Sequence, residues 1–343
     1  MPISGAFSPH TLTILCTYQC TAACKQCCFE SSPSVKGRLS RETIIARIAE
    51  AKRSFLNLSV VVFSGGEALM LKDALFDSIA YSTSEGLMTR VVSNGYWGKT
   101  PKAAKSTANK LKEAGLCELN ISTGKDHQEW VPASSVINAA TAAADAGIFC
   151  LITVENEGEN QDLINEILKS PLMAPYIESR TISVQSNSWM PFHDDAEERQ
   201  QAIDISELRK GCDQIFGTIV VTPHDNLSAC CGLTLEHIPE MRLGKNDGQN
   251  MESLYASQFD DFLKAWIHVD GPYSIIERVM GEDKAQHLEG VVHICEACSI
   301  MHKNREIRDA LRARYHEFVP EVMTRLQVAM ALRERSRHCV AAS

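Results

Sequence analysis

Thirteen cysteines among 343 residues are the part of this sequence best equipped for chemistry. Five of them, Cys16, Cys20, Cys24, Cys27 and Cys28, fall within thirteen residues, and five more, Cys212, Cys230, Cys231, Cys295 and Cys298, fall in the C-terminal part. An odd number cannot pair completely within one chain. The opening MPISGAFSPHTLTILC also lacks the basic and apolar regions of a secretion signal, so a disulfide framework is not expected. Clustered thiolates in a reducing compartment are soft ligands for zinc or iron–sulfur centres, and metal is expected at both groups. Cys20-x3-Cys24-x2-Cys27 places three thiolates on one loop, enough for three irons of a cubane with the fourth iron left open. A structural zinc ion would instead want four protein ligands, for which Cys16 or Cys28 would be needed. Cys28 in place of Cys27 is the alternative x3–x3 spacing. Cys295-x2-Cys298 has a spacing common to zinc and iron–sulfur ligands.

The elements that must carry these residues alternate. Thr11–Leu15 reads as a short strand running into the first cysteines. Ser40 is an N-cap with Thr43 at N3, and a helix follows to about Ser54. SVVVFSGGE (59–67) is a near-continuous β-branched run, as in a buried parallel strand. Helices are expected over 71–84, 100–114 (closed by Gly115), 133–146 and 160–169. Strands are expected over 88–95, 117–123, 148–155 and 180–186. This βα repeat implies a mostly parallel six-stranded sheet, open or partly closed into a barrel. Ligands gather at the carboxyl ends of such strands. There lie Ser64-Gly65-Gly66-Glu67, Ser93-Asn94-Gly95, Ser122 to His127, and Gln185-Ser186-Asn187. Beyond residue 190 the pattern changes to an acidic connector (190–200), a hairpin (215–232) and a loop (242–250). Helices follow over 251–267 and 273–280, then a long one from 303 to about 335, single or broken at Pro320. The last residues, CVAAS, are expected to fray. Cys16, Cys117 and Cys150 are expected in the strand core, and Cys339 is not expected to be a ligand.

Cys20, Cys24 and Cys27 in CTAACKQC, SGGE at 64–67 and SNG at 93–95 resemble the radical S-adenosylmethionine superfamily, over roughly residues 11–187. The resemblance implies a partial (β/α)6 TIM-type barrel. It implies that the three cysteines hold a [4Fe-4S] cluster whose open iron is chelated by S-adenosylmethionine, the cosubstrate. It assigns Gly65, Gly66 and Glu67 to the amino group of that cosubstrate: glycines permit close backbone approach and a carboxylate suits an ammonium. Ser93 and Asn94 would hold its carboxylate or ribose, with Ser122 and Gln185 as further candidates; the alternative for Asn94-Gly95 is a turn and nothing more. The family often has an aromatic after the third cysteine, near the adenine; here that position is Cys28, and Phe29 comes one later. The C-terminal cysteines are similar to the auxiliary-cluster region called twitch or reduced SPASM. That implies one auxiliary [4Fe-4S] cluster on Cys212, Cys230, Cys295 and Cys298. Cys230 is preferred to Cys231 because adjacent strand residues face opposite ways. The implied domains are the barrel core (10–190), a connector (191–211), the auxiliary-cluster domain (212–302) and a helical extension (303–343).

The resemblance further implies reductive cleavage of S-adenosylmethionine to a 5′-deoxyadenosyl radical that abstracts a substrate hydrogen. The auxiliary cluster would accept the second electron of an oxidative modification. STGKDHQEW (122–130) follows a strand, and Asp126 and His127 are candidates to bind substrate or transfer a proton. The alternative is that they cap a helix. The expected substrate is a peptide, with a small amino-acid-like or sugar-like metabolite as the alternative. A second alternative is a zinc-stabilised, non-catalytic binding protein. With the first strand near residue 11, no room is expected for an N-terminal peptide-recognition domain, so a leader peptide would need a separate binding protein or the sheet edge. A flavodoxin- or ferredoxin-like reductase is the expected electron donor. The net charge of −9 gives nucleic acid no support, no apolar run approaches the roughly 18 residues of a membrane span, and a cytoplasmic location is expected. Asp194, Asp195, Glu197 and Glu198 are read as a solvated face that could attract a basic peptide, and Trp97 as lining the pocket mouth or as packing.

Overall fold

The computed structural model describes residues 7–156, 161–193, 203–246 and 250–341. Six parallel strands form the N-terminal sheet: β1 (Thr11–Thr17), β2 (Val60–Gly65), β3 (Met88–Ser93), β4 (Glu118–Thr123), β5 (Phe149–Asn156) and β6 (Ile182–Ser188). Each pairs with its sequence neighbour, in the order of a partial TIM-type barrel. Between them run α1 (Arg41–Ser54), α2 (Asp73–Ser84), α3 (Pro101–Glu113), the short α4 (Lys125–Gln128), α5 (Ala133–Asp145), α6 (Gln161–Lys169) and α7 (Ala174–Glu178). Ser40 and Thr100 cap α1 and α3 by accepting from Thr43 N and Ala103 N.

The period-2 alternation of a strand sorts the residues into two layers. Leu12, Ile14, Cys16, Val61, Phe63, Val91, Leu119, Ile121, Cys150 and Ile152 join the buried core against α1 to α5. Each fully buried aliphatic side chain there contributes roughly 1.5–3 kcal/mol. Small residues on the helices, Ala104 and Ala108 on α3 and Ala139, Ala140 and Ala143 on α5, let the backbones approach closely. The opposite parity carries Arg90, Asn120, Ser122, Thr153 and Gln185. It is polar and bonded across strands: Gln185 Nε2 donates to Thr153 Oγ1 (3.2 Å), which donates to Asn120 Oδ1 (3.1 Å), and Arg90 pairs with Glu118 at 2.8 Å.

The C-terminal part continues the same sheet. After α8 (Ile205–Leu208), β7 (Thr218–Val221) pairs parallel with β1, and β8 (Asn226–Ser228) turns back antiparallel, as the hairpin pattern anticipates. Residues expected as a loop instead form β9 (Arg242–Lys245), antiparallel to β8. Gly244 at φ 136° and a register shift at Leu227/Ser228 explain why so short an irregular strand reads as loop. Helices α9 (Met251–Ala256), α10 (Phe262–Met280), α11 (Ala285–Leu288), α12 (Ile294–Lys303) and α13 (Arg305–Ala341) complete the chain. The expected 251–267 helix is split, and its second half merges with 273–280 in α10, which bends at Gly271 (φ 76°) before Pro272. A Cβ on Gly271 would meet Lys210 O at 2.0 Å, so only glycine fits. A second core around Trp266, Phe216, Met301, Ile307 and Val322 joins these helices to the hairpin. Asp270, buried at the bend, accepts from Trp266 Nε1, Arg278 and Arg325.

Four expectations are corrected or bounded here. α13 runs unbroken through Pro320 and reaches Ala341, where fraying was expected. Cys117 is exposed, because β4 begins one residue after it. Trp97 packs in the core, its Nε1 donating to Ser93 Oγ at 3.2 Å. Asp194, Asp195, Glu197 and Glu198, and the side chain of Cys339, lie outside the described residues. Among the described residues no helix is long and apolar enough to cross a membrane.

Candidate active site and cysteine clusters

β1 delivers the chain into the cysteine loop at the carboxyl end of the sheet. The loop is clamped on one side by the two glycines that end β2. Gly66 N donates to Thr17 O (2.7 Å) and Glu67 N to Gln19 O (2.9 Å). Gly65 has φ 116°, and a Cβ on Gly66 would lie 2.3 Å from Gln19 O. Both glycines are therefore required for backbone to lie on backbone immediately before Cys20. On the other side Asp126 Oδ2 accepts from Gln26 N at 3.0 Å, between Cys24 and Cys27. Gln26 in turn ties the loop to the segment after β6: its carbonyl accepts from Trp189 Nε1 (2.9 Å) and its Oε1 from Phe192 N (2.7 Å).

The next strand ends are spent on the same scaffold. Glu67 is fully buried; its carboxylate accepts from Leu69 N, Ser93 Oγ and Asn94 N at 2.9–3.1 Å. Burial raises its pKa to about 7, against the lowering effect of those donors. Ser93 Oγ also accepts from Gly95 N and Trp97 Nε1, which fills its capacity. Asn94 directs Nδ2 at Thr21 Oγ1 (3.0 Å) and at Cys20 Sγ (3.6 Å), while Oδ1 accepts from Tyr96 N (3.0 Å). Asn94 thus orients a cysteine, beyond making the turn that Asn-Gly spells.

The thiols of Cys20, Cys24 and Cys27 lie near one another, and their proximity raises the cost of ionising Cys20 and Cys24. Cys20 and Cys27 accept from Ala22 N and Ser31 N, both at 3.4 Å. Burial first, then the charges of Glu67 and Cys27, pushes Cys20 up to about 11; burial and Glu155 push Cys24 higher still. Free thiolates here would be costly, and a cationic iron–sulfur centre is the partner that offsets this, so the donor set fits the cluster. Among the described residues no three Cys, His, Asp or Glu side chains are placed to hold a single metal ion. A cubane spreads its thiolates wider than one tetrahedral ion does.

Glu155, on β5, is a site residue that sequence reasoning missed. His127 Nδ1 lies 3.0 Å from Glu155 Oε1, and the charge of Glu155 is felt at Cys24. Burial lowers the pKa of His127, but the charge and hydrogen bond of Glu155 outweigh it and the net shift is upward. Gly124 leaves room for this pair, since a Cβ there would meet Glu155 Oε2 at 2.5 Å. Only the strand parity of Glu155 with Thr153 could have signalled it. Asp126 is placed as a loop anchor, whereas Ser122 and Gln185 share a register row with Thr153 on the inner face, away from the cysteine loop's bonds. Phe29 packs against the C-terminal core.

The second group also assembles. Cys230, on the strand exit of β8, faces Cys212 and the pair on α12, where a Cβ on Gly232 would meet Cys295 Sγ at 3.0 Å and Cys230 Sγ at 3.9 Å. Burial, then the neighbouring thiols, raises Cys230, Cys298 and Cys295, the last to about 12. Cys231 lies between the groups: Thr13 and Arg90 act on it and it acts on Cys28, while its charge is also felt at Cys230 and Cys295. Cys230→Ala is accordingly expected to remove the C-terminal iron, about four atoms per chain, and Cys231→Ala to leave it. Equal losses from the two variants, measured as iron after anaerobic reconstitution, would reject this ligand choice.

Residues 14–170 match the family model of the Radical SAM superfamily. The relative "Putative peptide biosynthesis protein YydG" of Bacillus subtilis (strain 168) is 27% identical over 128 residues, 37% of this chain and 40% of that protein's length. The solved structure "Native anSMEcpe with bound AdoMet and Cp18Cys peptide" matches with a TM-score of 0.56 at 11% identity, covering 94% of this chain and 99% of that one. "Native anSMEcpe with bound AdoMet" matches at the same TM-score of 0.56 and 11% identity, covering 93% and 100%. At such identities the structural likeness shows a shared fold.

Proposed function

We propose that this chain, whose residues 14–170 match the Radical SAM superfamily model, is an enzyme that modifies a peptide by hydrogen-atom abstraction. The observation that carries this is the convergence of Cys20, Cys24 and Cys27 with the Gly65-Gly66-Glu67 and Ser93-Asn94 strand ends in one bonded scaffold. When bound there, a [4Fe-4S] cluster with S-adenosylmethionine supplies one-electron cleavage to a 5′-deoxyadenosyl radical. The chain's own residues do the rest. Gly65 and Gly66 expose backbone for close approach by a ligand's polar head. Glu67, having no exposed surface, acts by fixing β2 to β3, and Asn94 orients Cys20. His127 and Glu155 form a buried acid–base pair, with Nδ1 3.0 Å from Oε1. Asn120, Thr153 and Gln185 offer the inner face amide-matching donors and acceptors, which suits a peptide backbone.

The peptide reading is supported by the name of the YydG relative and by the peptide in the anSMEcpe structure. Cys212, Cys230, Cys295 and Cys298 are proposed to hold one auxiliary cluster with four protein thiolates. That disfavours direct substrate ligation and favours its use as an acceptor of the second electron.

Anaerobically reconstituted protein with dithionite is expected to form 5′-deoxyadenosine, faster when precursor peptides are added. Stimulation by an amino acid or sugar and by no peptide would move the substrate to a small metabolite. Bound zinc with no cleavage would reject the enzyme reading.

A further inference from the structure

A buried imidazole beside the C-terminal thiols has no hydrogen bond. His302 is 8% exposed, and its Nε2 is buried without a partner among the described residues. It stands on α12 with Cys295 and Cys298, at spacings of three and four, so the three share one face of the helix. Helical side chains lean towards the preceding turn, which carries the ring of His302 back towards Cys298.

The groups around this ring leave Nε2 to something else. The charges of Asp261 and Lys264 reach His302, but these two are paired with each other at 2.6 Å, and Asp261 also accepts from Leu263 N. Glu240 is felt at both His302 and Cys298, so carboxylate, imidazole and thiol are gathered together. Its Oε2 lies 3.9 Å from Nδ1, beyond hydrogen-bond distance, so Glu240 does not fix the tautomer that would leave Nε2 without a proton. Two other histidines at the thiols are already spent on ligand backbone. His268 Nδ1 lies 3.1 Å from Cys212 O, and His293 Nδ1 accepts from Cys295 N at 3.0 Å. An unpaired buried polar atom is costly, and such atoms are rare unless a bound group satisfies them.

We propose that His302 Nε2 donates a hydrogen bond to a sulfur of the cluster on Cys212, Cys230, Cys295 and Cys298, and so raises its reduction potential. The inference rests on the auxiliary-cluster reading above. Hydrogen bonds to the sulfurs are among the factors that set such potentials. A thiolate-bound cluster gains one negative charge on reduction, so a donor stabilises the reduced form more than the oxidised one. His302 tunes the cluster and is not a ligand, because four thiolates complete the cubane.

The test is a potentiometric titration, followed by electron paramagnetic resonance, of the anaerobically reconstituted full chain. Repeating it with Cys20, Cys24 and Cys27 replaced by alanine identifies the C-terminal signal. His302→Phe is expected to keep its iron and to lower the reduced-to-oxidised ratio at fixed potential tenfold or more, about 59 mV for one electron. His302→Gln keeps an N–H donor and should recover at least half of that loss. The potential of the loop cluster should move in neither variant. An unmoved C-terminal potential in His302→Phe overturns the proposal, as do equal losses in the two variants. If His302→Phe does not fold, pulsed resonance on the unchanged chain carrying 15N-histidine decides. Weak nitrogen coupling to the C-terminal cluster is expected; no coupling, or the strong coupling of a direct ligand, overturns the proposal. Zinc or no iron at the C-terminal site of the unchanged chain would reject the auxiliary-cluster reading itself, and the inference with it.

Discussion

Replacing Cys20, Cys24 and Cys27 together by alanine is expected to lower iron after anaerobic reconstitution from about eight atoms per chain to about four, and to abolish S-adenosylmethionine cleavage. The residual four would belong to the C-terminal thiols, which are held by a different core and a different set of helices. The fold should survive, because the barrel layer beneath the helices uses Cys16 and Cys150 but none of the three loop thiols. A fall from about four irons to none would remove the auxiliary cluster and leave a simpler radical enzyme. Zinc retained by the variant would make the C-terminal cysteines structural.

Gly66→Ala is expected to be nearly as damaging without touching a ligand. Its new methyl group would lie 2.3 Å from Gln19 O and 2.8 Å from Gln19 C. Those atoms are backbone, so no rotamer change relieves the overlap; either β2 or the loop must move. Forced overlap of this kind costs typically about 1–3 kcal/mol. The displacement falls on Tyr18 and Gln19, immediately before Cys20. Iron at the first site should therefore fall by more than half while iron at the second is kept, and the urea midpoint should drop. Ser34→Ala, on an exposed residue nearby, should change neither. Full iron and unchanged cleavage in Gly66→Ala would show that the glycine pair is not what positions the loop.

The βα alternation could be read directly, because each strand has a β-branched face that must meet an amphipathic helix and each boundary has a local cap such as Ser40 or Thr100. β9 could not, because it exists only through its pairing with β8, where Leu227 meets Gly244 and Ser228 meets Arg242, and its own short run includes a glycine. Nor could Cys117 be told from a core cysteine, since one residue of strand boundary decides its exposure.

The site divides along the same line. The spacing of Cys20, Cys24 and Cys27 and the Gly-Gly-Glu and Ser-Asn-Gly strand ends are local patterns, so the chemistry was legible in the residue order itself. The work of each residue was not. Glu67 and Ser93, candidates to touch a ligand, also bond to each other and to neighbouring backbone across two strand ends. Asp126 anchors Gln26, one hundred residues away, and His127 finds Glu155. Which of Cys230 and Cys231 lies nearer Cys295 and Cys212 likewise depends on the facing of β8 against α12. The sequence by itself determined which groups exist and at what local spacing. The tertiary structure decided which of them are left unsatisfied, because a hydrogen-bond partner or a neighbouring charge is a property of distance in space, which separation along the chain does not encode.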